Sequence, residues 1–242
     1  FIDSVRHYKS QITDPELQRD VAAFIAQESM HTQQHLKCNS LLKTHSKYAK
    51  MFETVPFFIL KAVKILFPAR TQLAVTCALE HFTALLSDQL LRNTHFEKHA
   101  NPVYAKLWMW HAIEETEHKG VCFDVYQSFY GGVLGYIERC IVMIMTSLIF
   151  FSVVLFGFLA AALLGSANSR KKHQLAVTKS NKISLQRCKS IIFDYYTAFF
   201  AEGAVLSGIL KPYFAYYLPS FHPWQHDNSA LLQSRKNDFE YG

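Results

Sequence analysis

Two short stretches carry residue types that can hold a metal. Glu28-Ser-Met-His31 and Glu115-Thr-Glu-His118 are both Glu-x-x-His. On a helix this spacing puts a carboxylate and an imidazole on one face, one turn apart. A carboxylate-bridged two-metal site takes one such pair from each of two helices and one Glu from each of two more. Glu80 lies between the two pairs and can supply one of those carboxylates. One Glu-x-x-His is common by chance; two on separate helices, with a Glu on the helix between, form a much stronger pattern. The metal ligands are therefore read as Glu28, His31, Glu80, Glu115 and His118. His111 joins them, because it lies four residues before Glu115 and seven before His118 on the same face. His35, seven residues after Glu28, shares that residue's face and is read as a ligand or a hydrogen-bonding neighbour of one. His81 follows Glu80 directly, so it points about 100° away and reads as a core histidine or a neighbour of the ligands. Glu114, four residues before His118, and Asp124 beyond it are candidates to orient that imidazole, while Glu117 reads as solvated. Mixed carboxylate and imidazole ligands favour iron or manganese, with zinc as the alternative, and two ions are expected.

These residues need helices to position them, and the sequence supplies helical signals almost throughout 1–130. The first helix runs to about Ile12. Asp14-Pro15-Glu16 is an N-cap, first position and first-turn acid for a second helix, which runs to about Lys47. A long connection marked by Pro56 and Pro68 leads to a third helix, Arg70 to Arg92. A polar break from Asn93 to Asn101 precedes a fourth, opened by Pro102 and ended near Tyr130 by Gly131-Gly132. The expected fold is all-α: a ferritin-like four-helix bundle with one long crossover. Register agrees, since Glu80 lies 14 residues before Thr94 and Glu115 lies 14 residues after Asn101. Glu28 likewise lies 14 residues after Asp14, which places its partner carboxylate just upstream of Phe1. The first helix is accordingly expected to be truncated, with Asp3 a poor substitute about a turn away.

Composition points to a membrane. The chain has 242 residues, of which 50% are hydrophobic and only 18% charged. Its mean hydropathy is +0.04. That excludes a disordered or Gly/Pro-rich chain. The 5 Cys are scattered and form no CxxC, so they read as reduced core residues. Cys140 to Gly165 contains no charged residue and is long enough to cross the roughly 30 Å hydrocarbon layer. Glu138 and Arg139 bound it on one side. Beyond it, Arg170, Lys171 and Lys172 begin a basic segment suited to lipid headgroups. Residues 55–69 and 191–218 are apolar and punctuated by charge, as interfacial helices are. The net charge of +6 is concentrated in the basic segment, and no nucleic-acid-binding motif accompanies it. The expected organisation is a metal-binding bundle over 1–130 and a transmembrane helix over 131–168. A basic juxtamembrane loop over 169–190 and an amphipathic, aromatic-rich segment over 191–242 follow.

The segments FIDSVRHY (1–8), ITDPELQRDVAAFIAQESMH (12–31), LEHFTA (79–84), HAIEETEHKGVCFDVY (111–126) and FHPW (221–224) resemble a bacterial family of predicted metal-dependent hydrolases. The resemblance covers most of the chain and implies a helical, metal-binding protein. The spacing of His111, Glu115 and His118 is also similar to that of the diiron arylamine N-oxygenases. That second resemblance, confined to the metal seam, implies His111 as a ligand and iron as the metal. In FHPW, Trp224 is read as packing on the bundle, with His222 a lesser candidate to reach the site.

The preferred function at this stage is a membrane-associated diiron enzyme, oxygenase- or desaturase-like, oxidising a lipophilic substrate with an electron-donor protein. The alternative is a metal-dependent hydrolase of a lipid-like ester or phosphoester, and the second alternative a non-enzymatic metal-binding membrane subunit. The expected location is a bacterial inner membrane with the bundle on the cytoplasmic side. The expected partners are membrane lipid and a second copy of the chain, without nucleic acid.

Overall fold

Asp14 starts the bundle as its residue type suggests: its Oδ1 accepts from the Glu16 backbone N–H at 3.0 Å, and its carbonyl accepts from that of Gln18 at 3.0 Å. The computed structural model describes residues 1–45, 49–99, 102–174 and 204–241, and every regular element among them is helical. The elements that place the site are α1 (Ile2–Arg6), α2 (Pro15–His45), α3 (Ala49–Leu66), α4 (Ala69–Arg92), α5 (Thr94–His99), α6 (Pro102–Glu117) and α7 (Val121–Tyr130). After them come α8 (Val133–Gln174), α9 (Ala204–Ala215) and α10 (Ser229–Tyr241), with a short 3₁₀ turn at Pro223–Gln225.

Three boundaries differ from expectation. The crossover after α2 is itself a helix, α3, with Pro56 inside it. One lost backbone bond and a ring clash cost about 3 kcal/mol there, and the helix nonetheless runs through Pro56. The polar break holds the single-turn helix α5, capped where Asn93 Oδ1 accepts from the Phe96 N–H at 2.9 Å. The fourth helix is not continuous to Tyr130. It breaks at His118–Gly120, where Val121 N–H turns back to the His118 carbonyl at 3.0 Å. Gly120 is required there, because a Cβ would lie 2.9 Å from Trp224 Nε1.

Packing fixes helix directions. Val21 and Phe24 of α2 share one core cluster with Val121, Val125 and Tyr126 of α7. Farther along α2, the His35 ring meets His111 of α6. On α4, Cys77 Sγ donates to the Cys122 carbonyl, while Leu91 packs with Met109 and Ala112. Residue numbers thus rise along α2 and α4 as they fall along α6 and α7. The two run parallel to each other and antiparallel to α6–α7, and α3 makes the return.

Helix α8 docks one face on this bundle. Met143, Thr146 and Ser147 are buried, Phe150 stacks on Phe82 with centroids 4.8 Å apart, and Ser147 Oγ lies 2.8 Å from Tyr213 OH on α9. Val133–Gly157 is long and apolar enough to cross a membrane. The helix starts before the expected Cys140 and runs through Gln174, so Arg170, Lys171 and Lys172 continue it instead of forming a loop. The rest of the basic segment, and residues 191–203 of the aromatic one, lie outside the described residues. Arg139, expected at the border of the span, is instead buried inside the fold.

Candidate metal centre

One turn of α2 and the last turn of α6 face each other across the seam, with Glu80 of α4 beside them. Glu28 Oε1 lies 2.9 Å from His31 Nδ1 and 3.5 Å from His118 Nε2. Glu115 Oε1 lies 3.4 Å from His31 Nδ1 and 3.4 Å from His111 Nε2. Glu80 Oε2 lies 3.2 Å from His118 Nδ1. Ligand atoms of Glu28, His31, Glu115 and His118 all fall within 4.8 Å of one another, and all four residues are buried. The chain thus brings together the six residues singled out from spacing.

Most of these atoms lack hydrogen-bond partners. Both oxygens of Glu80, Glu115 Oε2 and both nitrogens of His118 are buried with no well-aligned hydrogen bond. Buried polar atoms in folded proteins are nearly always paired. Orphaned carboxylate and imidazole atoms converging on one volume fit a bound cation, and the donor set suits a transition metal or zinc.

The electrostatics agree. Burial by itself would lower the His31 pKa, but Glu114, Glu115 and Glu28 outweigh it and raise it to about 11. His118 is raised too: burial opposes the charge, and Glu80, Glu115 and Glu28 overcome it. Burial pushes Glu80 up. Glu115 goes down despite burial, because His31, His118 and His111 surround it. His111 is lowered to about 4, chiefly by burial. The buried carboxylates thus favour positive charge at this point of the seam, whether from protons on the imidazoles or from a cation.

A cavity of about 370 Å³ opens onto this cluster, with His31, His35, His111, Glu115, Asn39 and Glu53 in its wall. His35 therefore belongs to the cavity wall, and burial, with His31 beside it, lowers its pKa. Glu53, on α3, is paired with Lys43. Glu53 was not singled out from the sequence because the helical character expected of the crossover began only at residue 55; α3 starts at Ala49 and so carries that acid to the cavity.

Of the other candidates, Glu114, Asp124 and Glu117 differ from expectation, while His81, Asp3 and Trp224 lie as expected. Glu114 does not orient His118: its Oε2 lies 2.8 Å from His31 Nε2, across the seam. Asp124 is taken by His222 at 2.8 Å, so neither reaches the cluster. His81 is a core histidine, its ring against Tyr216 and Phe221. Glu117 is not simply solvated; it accepts from Gln27 Nε2 at 2.9 Å and pairs with Lys236. Asp3 pairs with Lys64 at 2.5 Å, away from the site. Trp224 packs as expected, its ring 4.2 Å from the Lys119 ammonium. A carboxylate upstream of Phe1 lies outside the described residues.

The family described as predicted metal-dependent hydrolase matches residues 1–227. The chain belongs to this family. The matched span of the predicted metal-dependent hydrolase includes every candidate ligand and ends before α10. No curated protein and no solved structure matches the chain. Membership overturns the expectation of an oxygenase or desaturase, and of an oxidoreductase generally. The mixed ligand seam had pointed to oxygen chemistry, but the same ligands serve hydrolysis, which is the reading the family supports.

Proposed function

We propose that this chain is a metal-dependent hydrolase of a lipid-like ester or phosphoester. The reading rests on one observation: orphaned, buried carboxylate and imidazole atoms converge beside an open cavity in a chain of this family. Glu28, His31, Glu80, His111, Glu115 and His118 would hold the metal, with Glu114 fixing the ring of His31. The carboxylates of Glu28, Glu80, Glu114 and Glu115 call for about four positive charges, which supports two divalent ions. The parallel run of α2 and α4, with α3 as the return, supports a ferritin-like bundle.

When bound, such ions lower the pKa of a water molecule and polarise the substrate's carbonyl or phosphoryl oxygen. The protein's own residues do the rest. Glu114 Oε2, 2.8 Å from His31 Nε2, sets the orientation of that imidazole. The T-shaped packing of Trp110 on His31 and of Phe24 on His118 keeps water from the back of both rings. His35, in the cavity wall, presents an imidazole that can hydrogen-bond the substrate.

Purified protein should carry metal by elemental analysis and cleave nitrophenyl esters or phosphodiesters without oxygen. Chelation should abolish turnover, and one of zinc, manganese or iron should restore it. Full metal occupancy with no hydrolysis of either substrate class would sink the proposal.

A further inference from the structure

We propose that the bundle itself is seated in one leaflet of a lipid bilayer, through a face made by α3 and the outward side of the bundle-docked half of α8. The inference is independent of the hydrolase reading. Phe57, Phe58, Ile65 and Leu66 on α3, and Val133 and Leu134 at the start of α8, are each more than half exposed. The two helices touch, so these side chains form one surface. Ile137, Ile141, Ile144, Met145 and Leu148 continue it along α8. Monomeric proteins in water rarely expose a contiguous apolar patch of this extent.

Charge placement on α8 selects lipid as the occupant. Val133–Gly157 has two charged residues, Glu138 and Arg139, and both point into the protein. Glu138 pairs with Arg70 and accepts from Thr71 Oγ1 at 2.7 Å and from Tyr126 OH at 3.2 Å. Arg139 donates to the carbonyls of Tyr216 at 2.7 Å and Leu218 at 3.2 Å, with its guanidinium enclosed by the rings of Phe123 and Tyr216. Inward, paired charges behind an uncharged outer face are the arrangement a helix needs against hydrocarbon. On α3, Lys64 is paired with Asp3 and Glu53 with Lys43, which leaves Lys50 and Lys61 as positive charge for anionic headgroups.

Topology brings the chain back to the bundle after α8. The chain leaves the bundle along α8, yet α9 is packed on α4 of the same bundle. A single crossing cannot do this. The half of α8 that lies along α4 carries its bare apolar face at the level of the bundle, not beyond it.

Spin labels decide the matter. Cysteines would be introduced singly by Phe58→Cys, Ile65→Cys and Leu134→Cys, with Ser234→Cys on α10 as the control. The background is the full chain with Cys38, Cys140 and Cys188 changed to serine, in vesicles of phosphatidylcholine and phosphatidylglycerol. Accessibility to oxygen, which partitions into lipid, is compared with accessibility to a water-soluble nickel chelate. The expected ratio is several-fold higher at 58, 65 and 134 than at 234. Ratios at 58 and 65 equal to that at 234 would mean a tethered bundle in water and overturn the proposal. Labels at 58 and 65 shielded from both reagents would mean that protein covers the face, and overturn it equally. The unsubstituted chain gives a second reading with a carbene-generating photolabel on the acyl chains. Labelling of peptides from both α3 and residues 133–148 is expected, and labelling of 149–157 without α3 would refute the idea.

Discussion

At the scale of single residues, Glu28 holds the pivotal position, because one of its oxygens approaches both His31 and His118. Glu28→Ala should therefore remove most bound metal and reduce hydrolysis by more than about 100-fold, since loss of a neighbour of a ligand alone costs about 10–100-fold. Elemental analysis alongside turnover checks this; unchanged metal content would remove Glu28 from the ligands. Glu114→Gln keeps the shape of the side chain but weakens its hold on His31, so metal affinity should fall about 10–100-fold with the fold intact. Competition with a metal-binding dye measures that loss, and an unaltered affinity would leave Glu114 as a bystander. Of this site, the two Glu-x-x-His pairs, Glu80 and His111 were legible in the sequence, because i, i+3 and i, i+4 spacing is a local property of a helix. The partner of Glu114 was not legible. Its spacing from His118 suggested one direction, while the side chain reaches α2, a contact set by how two helices meet.

At the scale of elements, Gly135 shows how closely α7 and α8 are joined. A Cβ there would lie 1.7 Å from the Tyr130 carbonyl oxygen, so backbone must move. Gly135→Ala should cost about 3 kcal/mol, the upper end of overpacking penalties, and denaturant unfolding would show it. A loss below about 0.5 kcal/mol would mean that the corner is soft, as ordinary surface substitutions are. The tail is tied to α4 by Asp88, which accepts from Arg92 Nε at 2.9 Å and Nη2 at 3.0 Å, and from Asn228 Nδ2 at 3.1 Å. Burial would raise the Asp88 pKa, but His226, Arg92 and Asn228 draw it well below the usual carboxylate range. A depressed folded pKa gives stability that is present above the unfolded pKa of about 3.9 and is lost as pH falls below it. Asp88→Asn should therefore cost about 2 kcal/mol at pH 7. The gap to the unsubstituted chain should close progressively below about pH 4. A gap independent of pH would show that shape, not charge, holds the tail. Helix starts such as Asp14-Pro15 were legible because caps are local. The break at Gly120 was not, because the Trp224 indole that occupies the missing side chain's place comes from the far end of the chain. The crossover helix was legible over 55–69 from its apolar residues punctuated by charge, but not its start at Ala49, because residues 49–54 carry no local cap signal and Pro56 suggests a later beginning.

At the scale of the whole molecule, the metal centre is where α2, α4 and α6 are pinned together, so cation binding and global stability must be linked. Without cations, the neighbouring carboxylates raise the pKa of His31 and of His118, so protons compete with metal for these rings. A ligand at 100 times its Kd stabilises the folded state by about 2.7 kcal/mol. For a chain of this size each kcal/mol moves Tm by about 2–4 °C, so removing the metal with a chelator should lower Tm by roughly 5–11 °C. The shift should shrink in acid, because metal must displace the protons that His31 and His118 hold, and those protons are retained more strongly as pH falls. Thermal melts with and without chelator at several pH values, beside elemental analysis of the same samples, check both parts. A chelated sample that has lost its metal but melts at the original temperature would show that the seam is held by its packing alone. Phe24, Val21 and Cys77 lie beside the ligands in the same core, and in that case they, not the cations, would carry the joint between the helices.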